Sequence, residues 1–325
     1  MSPIKSAIFF VFFFLLIISG CKKDGVDVDY TTLDIHEDIN VEKVIFTNDN
    51  TGYTCGGKKS ESGAIYKTTD AGNSWQKQYS IPSQCIYDIK FVNDTLGYAC
   101  GENLLILKTT DGGGHWLTQS LYQPPQGYSG RLHNLFCVGN NTVYVAGGAN
   151  FNVGITYKTY TSGSEWIYNT FDLELRSVWF DNKYNGFYSG YGAIYQTYDS
   201  ATNFHRLNID NDFFTSLFFT DSRTAFACGY NGGIYKSSDA GNNWENKLKN
   251  SNSLVSSRHF NHIQFGDGIT GYAVGTNGLI AFTTNAGNDW SAVTKLNSDT
   301  YYSVCVRGNK VYVSSQGGKI YRLNR

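Results

Sequence analysis

Ile65-Tyr66-Lys67-Thr68-Thr69-Asp70-Ala71-Gly72-Asn73-Ser74-Trp75 is the stretch on which the fold turns, because the chain repeats it. It returns as Ile106-Leu107-Lys108-Thr109-Thr110-Asp111-Gly112-Gly113-Gly114-His115-Trp116. Strong copies follow at 237–244, with Asp239 and Trp244, and at 283–290, with Asn285 in the Asp place and Trp290 at the end. Weaker copies occupy 159–166, where Thr161 replaces Asp before Trp166, and 197–204, which keeps Asp199 but closes on Phe204. The closing aromatics are 41, 50, 38, 40 and 46 residues apart. Each copy is preceded by an apolar strand such as Lys43-Val44-Ile45-Phe46, a turn, and a short strand such as Gly97-Tyr98-Ala99-Cys100-Gly101. A further strand starts near the Trp. Four short strands in a period of about 40 residues, with no helical segment between them, are the signature of a propeller blade.

First strands begin near residues 42, 86, 132, 176, 214, 260 and 302, which makes seven blades. The last has three strands and then the chain stops, while Thr31-Thr32-Leu33-Asp34-Ile35 has no blade of its own. The two leftovers complete one another and leave no open hydrogen-bonding edge. The expected fold is therefore all-β: a seven-bladed β-propeller of four-stranded antiparallel blades over residues 31–325, closed by the N-terminal strand completing the last blade.

Within the repeat, a carboxylate two residues before a Gly accepts N–H groups of its own turn, and the Gly supplies a positive φ. Asp70, Asp111, Asp199 and Asp239 are accordingly expected to be structural. One turn repeated around a ring does not converge on a catalytic centre. Trp75, Trp116, Trp166, Trp244 and Trp290 are expected to pack between sheets. Cys55, Cys100 and Cys228 share a second-strand position that holds Val274 in the sixth blade, so they read as small buried hydrophobes. Cys85 and Cys137 are the conceivable disulfide pair. His259 and His262 are the only close histidines, and strand alternation does not put them on one face, so no metal site is expected.

The composition agrees with short aromatic strands joined by tight turns: 35 Gly, 4 Pro and 16% aromatic residues in a chain of 325. Charge is balanced, with 26 basic against 27 acidic residues, which argues against a nucleic-acid-coating surface. No glycine-rich segment follows the strand-to-helix grammar of a nucleotide site, and no cofactor is expected.

Residues 1–20 carry one Lys ahead of an apolar run from Ala7 to Ile18, a secretory signal pattern too short for the roughly 20 residues of a spanning helix. Ile18-Ser19-Gly20-Cys21 resembles the bacterial lipobox, which implies acylation of Cys21 and anchorage through membrane lipid. Residues 21–30 then form the lipidated Cys and a polar tether. The Cys21-Lys22-Lys23-Asp24 start is similar to outer-membrane lipoproteins of the Bacteroidota, which implies an envelope location at the outer membrane and allows cell-surface exposure.

The repeat itself resembles the Asp-box, or BNR repeat, and its Ile-Tyr-Lys-Thr-Thr-Asp form with Gly-Tyr-Ala-Cys-Gly upstream is similar to the photosystem II assembly-factor-like propellers. The resemblance covers nearly all of residues 31–325. It implies the propeller fold; Asp-box propellers include sialidases, other glycan hydrolases, receptors and assembly factors, so it implies no single activity. The sialidase pattern fails here: there is no Arg-Ile-Pro segment and the first Arg is Arg131, already in the third blade.

Loops leading into first strands and loops joining second to third strands gather on one face of a propeller. Candidate ligand-binding residues there are Arg131, Arg176 and Arg258, which precede or begin first strands and suit an anionic group, with Tyr122, Tyr128, Phe151, Tyr191 and Tyr230 as aromatic contacts. No catalytic residue is assigned. Glu61, Asp88, Asp172, Glu174, Asp210, Asp212 and Asp299 lie near the same face without a recognisable catalytic pair. The expected function is a non-enzymatic, monomeric, envelope-anchored scaffold that binds a protein or glycan through this face. The alternative is a glycoside hydrolase or lyase acting through carboxylates of that face.

Overall fold

The computed structural model describes residues 25–122, 124, 130–207, 209, 212–248, 258–293 and 295–324. The signal segment, Cys21, Tyr128 and Asp210 therefore lie outside the described residues. Seven four-stranded antiparallel sheets surround a common axis. Their innermost strands are Asn40–Phe46, Ile86–Phe91, Arg131–Val138, Leu175–Phe180, Phe214–Phe219, Phe260–Phe265 and Tyr301–Arg307. Each expected first strand falls within two residues of its predicted start. The ring closes as the sequence implies: Tyr30–Asp34 pairs antiparallel with Lys319–Asn324 as the outer strand of the seventh blade, Leu33 opposite Ile320.

The chain contacts the propeller ahead of the strand that closes the ring. Val26 bridges Val293 of the sixth blade and donates its N–H to Ala292 O, Val28 packs against the core beside Tyr301 and Leu323, and Asp29 O accepts the N–H of Asn324. Two apolar residues in a polar stretch find the groove between the last two blades, so the folded body begins about five residues earlier.

Neighbouring blades are stapled by aromatic stacking. In five of the seven blades the first strand ends in Phe, and an aromatic ring from the second strand of the preceding blade lies on it. Tyr53 stacks on Phe91 at 4.0 Å, Tyr144 on Phe180 at 3.5 Å, Phe226 on Phe265 at 4.1 Å and, across the closure, Tyr312 on Phe46 at 4.1 Å. Such pairs contribute about 0.5–1.5 kcal/mol each beyond their buried area. The repeated Gly opening the second strand makes room for that Phe: a Cβ on Gly97 would lie 2.8 Å from the Phe91 ring, and on Gly271 2.5 Å from Phe265. The closing Trp then meets the same ring edge-on, as Trp116 does on Phe91 and Trp290 on Phe265.

The repeated turns are held by side-chain hydrogen bonds, and the two deviant copies make the same kind of bond. Asp70 Oδ1 accepts the Ser74 N–H at 2.9 Å and the Thr68 hydroxyl at 2.7 Å, while Oδ2 accepts the Ser74 hydroxyl. Asp111, Asp199 and Asp239 accept the equivalent N–H four residues on. Thr161 Oγ1 and Asn285 Oδ1 make the same bond to Glu165 and Asp289, so the turn needs an acceptor oxygen and not a charge. Both Gly72 and the preceding Ala71 have left-handed backbones, with φ of 88° and 60°. The Ser74 and Asn203 hydrogen bonds hold the Asp70 and Asp199 carboxyls at about 2, below the ordinary 3.8. Because these folded-state values are depressed, the turns' contribution is complete above the ordinary carboxylate range and is lost as pH falls through about 2. Stability measured against pH by denaturant unfolding should therefore decline below pH of about 4, and less so in Asp70→Asn.

All six described cysteines are unpaired thiols, so Cys85 and Cys137 do not form the conceivable disulfide. Cys85 immediately precedes the second blade's inner strand, whereas Cys137 lies near the far end of the third blade's. Cys55, Cys100 and Cys228 are fully buried.

Candidate functional site

The site is built by a device repeated in every blade. Each innermost strand has a register shift in its pairing near its start, so that one residue bulges toward the axis. The bulged residues are Glu42, Tyr87, His133, Arg176, Thr215, Asn261 and Tyr302, and all seven line one cavity of about 410 Å³ at the mouth of the axial channel. Lys59, Arg131 and Tyr230 complete its wall. Only Arg176, Arg131 and Tyr230 were anticipated. The missed signal is an apolar-x-polar-apolar pattern at the start of each first strand, as in Val41-Glu42-Lys43-Val44 and Leu132-His133-Asn134-Leu135. Its two apolar positions are three apart, where unbroken alternation demands an even spacing.

The next residue of each strand forms a second, largely buried ring: Lys43, Asp88, Asn134, Ser177, Ser216, His262 and Ser303. Six of these side chains accept an N–H from the following blade. Leu135 N donates to Asp88 Oδ2 at 2.9 Å, Val178 N to Asn134 Oδ1 at 2.9 Å, and Leu217 N to Ser177 Oγ at 3.1 Å. Ile263 N donates to Ser216 Oγ, Val304 N to His262 Nδ1, and Val44 N to Ser303 Oγ. This stitching satisfies backbone groups that the bulges leave without ladder partners. Lys43, Asn134, Ser177, Ser216 and His262 also line a second cavity of about 400 Å³ on the other side of the ring, walled by Phe136, Trp179 and Phe218.

At the mouth, charges are held in fixed pairs. Glu174 accepts from His133 Nε2 at 3.0 Å and from Phe151 N–H at 2.9 Å, and Arg176 lies 3.5 Å from the same carboxylate. Burial raises the Glu174 carboxyl, but the His133 hydrogen bond and the Arg176 charge outweigh it and hold it at about 2. Burial, with Arg176 alongside, pulls His133 down to about 4, so the ring is neutral at physiological pH. Arg131 stands 3.8 Å from Glu102, whose other oxygen accepts N–H groups of Ser60 and Cys85. Glu42 has no such support: desolvation raises its carboxyl to about 8 against the opposing pull of Arg176. It is uncharged near neutrality, and the arginines there face outward with less opposing charge than the sequence count implies.

Beside the mouth runs an arc of contacting rings crossing four blades. Phe151 meets Tyr191 at 5.3 Å, Tyr191 meets Phe213 at 5.5 Å, Phe213 stacks on Tyr230 at 5.3 Å, and Tyr230 contacts His259 at 4.1 Å. Arg176 lies over Phe213 at 5.2 Å, joining arc to mouth. Phe151, Tyr191 and Tyr230 remain 52%, 45% and 41% exposed. Three candidates named from sequence thus come together, and Phe213 and His259 were missed. Tyr122 goes elsewhere, stacking on Tyr168 of the third blade's outer strand. Arg258 is not among the residues lining the mouth. His259 and His262 diverge, one to the arc and one to the buried ring. Among the described residues, no group of three or more His, Cys, Asp or Glu could hold a metal ion. Of the candidate carboxylates, Asp88 belongs to the ring, Asp212 accepts from Asn231 N–H and Tyr235 O–H, and Asp299 accepts the Tyr321 hydroxyl.

A closed seven-bladed BNR-repeat propeller with a polar mouth on its axis defines the class. The chain belongs to the family described as photosynthesis system II assembly factor YCF48, whose profile matches residues 78–211 and 203–324. Among solved structures it is similar to YCF48 bound to D1 peptide, at 16% identity and TM-score 0.72, over 95% of this chain and 100% of that one. It is also similar to YCF48 from Cyanidioschyzon merolae, at 15% identity and TM-score 0.70, over 91% and 98%. Virginiamycin B lyase from Staphylococcus aureus, at 12% identity and TM-score 0.71 over 92% and 100%, shares the fold. No curated protein matches the chain in sequence.

Proposed function

We propose that this propeller is a non-enzymatic scaffold, anchored to the cell envelope through acylated Cys21, that holds an extended segment of a protein partner across its mouth. The observation that carries the reading is the union of Arg131 and Arg176 with the exposed Phe151, Tyr191 and Tyr230 arc on one face. The arginines suit a backbone carbonyl or carboxylate, and the rings suit apolar side chains of the same segment. Support comes from the family, one member of which is described as bound to a D1 peptide. The partner here is a protein of the envelope in which the lipobox would place the chain, and residues 1–20 would be its cleaved export signal.

Site-specific photo-crosslinking tests this in cells. A crosslinker at Tyr191 or Tyr87 is expected to capture a defined peptide segment, and one at Tyr184, an exposed ring outside the mouth, to capture none of it. Arg131→Ala with Arg176→Ala should lower the yield by about tenfold or more, as loss of charge-assisted contacts predicts. Equal yields from Tyr184 and Tyr191 would reject the mouth as the docking face, and turnover of a polysaccharide by the purified protein would reject the scaffold reading. In the same cells Cys21→Ser should release the protein from the membrane fraction.

A further inference from the structure

One member of the buried ring breaks its rule. Six side chains accept an N–H from the next blade, but a protonated Lys43 has no lone pair to offer. Its Nζ lies instead 2.6 Å from His262 Nε2 and 3.5 Å from Asp88 Oδ1. Val304 N–H donates to His262 Nδ1, as the pattern of the other five positions requires, so the proton of the neutral imidazole sits on Nε2. Two N–H donors cannot share one contact, and the pair is satisfied only when the amine supplies its lone pair. Asp88 Oδ1, in a side chain 1% exposed, has no hydrogen-bond partner among the described residues and faces the same space. Lys43 also lines both axial cavities, although the residue is only 5% exposed. Burial draws the amine down to about 8, against the Asp88 charge, with Lys90 lowering it further and Cys55 raising it; His262, also buried beside Lys43, is held well below its ordinary value. Nothing in the proposed scaffold role uses this group.

We infer that Lys43 is a carbonyl-reactive amine and that the mouth cavity takes small oxo acids, their carbonyl carbon on Lys43 Nζ and their carboxylate toward Lys59, Arg131 and Arg176. The step is a condensation. The Nζ lone pair forms the C–N bond as the carbonyl electrons move to oxygen, and the protons leaving nitrogen go to that oxygen. It departs as water and leaves an imine. Asp88 Oδ1, 3.5 Å from Nζ, is placed to carry one of those protons from nitrogen to the oxygen and is left unchanged at the end. No oxidant or reductant is consumed. The inference stands apart from peptide binding, since it concerns the floor of the cavity and not its rim.

Reductive trapping on the full-length wild-type protein tests it. Glyoxylate with cyanoborohydride near neutral pH converts an imine into a stable carboxymethyl-lysine, located by peptide mass spectrometry. Lys43 is expected to label at least about tenfold faster than the exposed Lys183, because a desolvated amine keeps far more of its uncharged form. Propionaldehyde, which lacks the carboxylate, should lose most of that preference. Labelling of Lys43 no faster than Lys183 would overturn the inference. Equal preference for both aldehydes would overturn the oxo-acid assignment.

Discussion

Leu33→Asp is expected to unfold the propeller or leave it barely stable. Leu33 sits on the strand that closes the ring, 6% exposed, in a cluster with Val41, Val44, Tyr312 and Ile320 drawn from the first and seventh blades. Losing a buried Leu costs about 2–5 kcal/mol, and an unpaired carboxylate in its place adds more. A typical domain has about 5–15 kcal/mol in all. The damage also exceeds its local contacts. If Tyr30–Asp34 detaches, the strand Lys319–Asn324 presents an unpaired edge, which templates association with other chains. Urea unfolding should show a midpoint far below wild type, and size-exclusion chromatography should show larger species. Thr31→Lys, exposed on the same strand, should change little. If Leu33→Asp unfolded within about 1 kcal/mol of wild type, the strand would not be closing the ring.

Trp116→Ala should cost about 3–5 kcal/mol in the same assay, the usual range for emptying a large aromatic site. The ring is 7% exposed and packs edge-on to Phe91 within a cluster that includes Tyr53, Ile65 and Leu107. It therefore supports the contact between the first two blades and not only its own hairpin. Its indole Nε1 has no hydrogen-bond partner among the described residues, so Trp116→Phe sacrifices area but no bond and should cost clearly less than Ala. A Trp116→Ala protein as stable as wild type would show that the closing aromatics merely cover the surface.

The two substitutions separate what was legible in the chain from what was not. The Asp turns, the closing Trp and the blade count were all visible because each depends on residues within a few positions of one another. Asp70 bonds Ser74, and a hairpin of that kind forms wherever the pattern occurs. Ring closure was visible for a different reason: two strands lacked partners and only each other could supply them. The packing of Val26 and Val28 was not legible because they look isolated in a polar stretch, and their contacts lie more than 200 residues away in the chain.

The site was only partly legible. Arg131 and Arg176 were picked out as arginines at the starts of first strands, and Phe151, Tyr191 and Tyr230 as aromatics in the loops of one face. Glu42, Tyr87, His133, Thr215, Asn261 and Tyr302 were overlooked because strict strand alternation was assumed, and a bulge shifts which side chain faces the axis. The conceivable Cys85–Cys137 bridge failed because one member precedes an inner strand and the other lies near the far end of the next blade's.

Local chemistry written into the chain decided the turns, the blades, their number and the partner of the first strand, since each is settled by neighbours in sequence or by a missing edge. Only the closed ring decided that Lys43 meets Asp88 and His262, that Arg176 lies over Phe213, and that seven bulged residues from seven blades share one cavity. Those encounters join positions dozens to hundreds of residues apart, and no periodicity along a strand specifies them. They follow from the inward curvature that brings every first strand to the same axis.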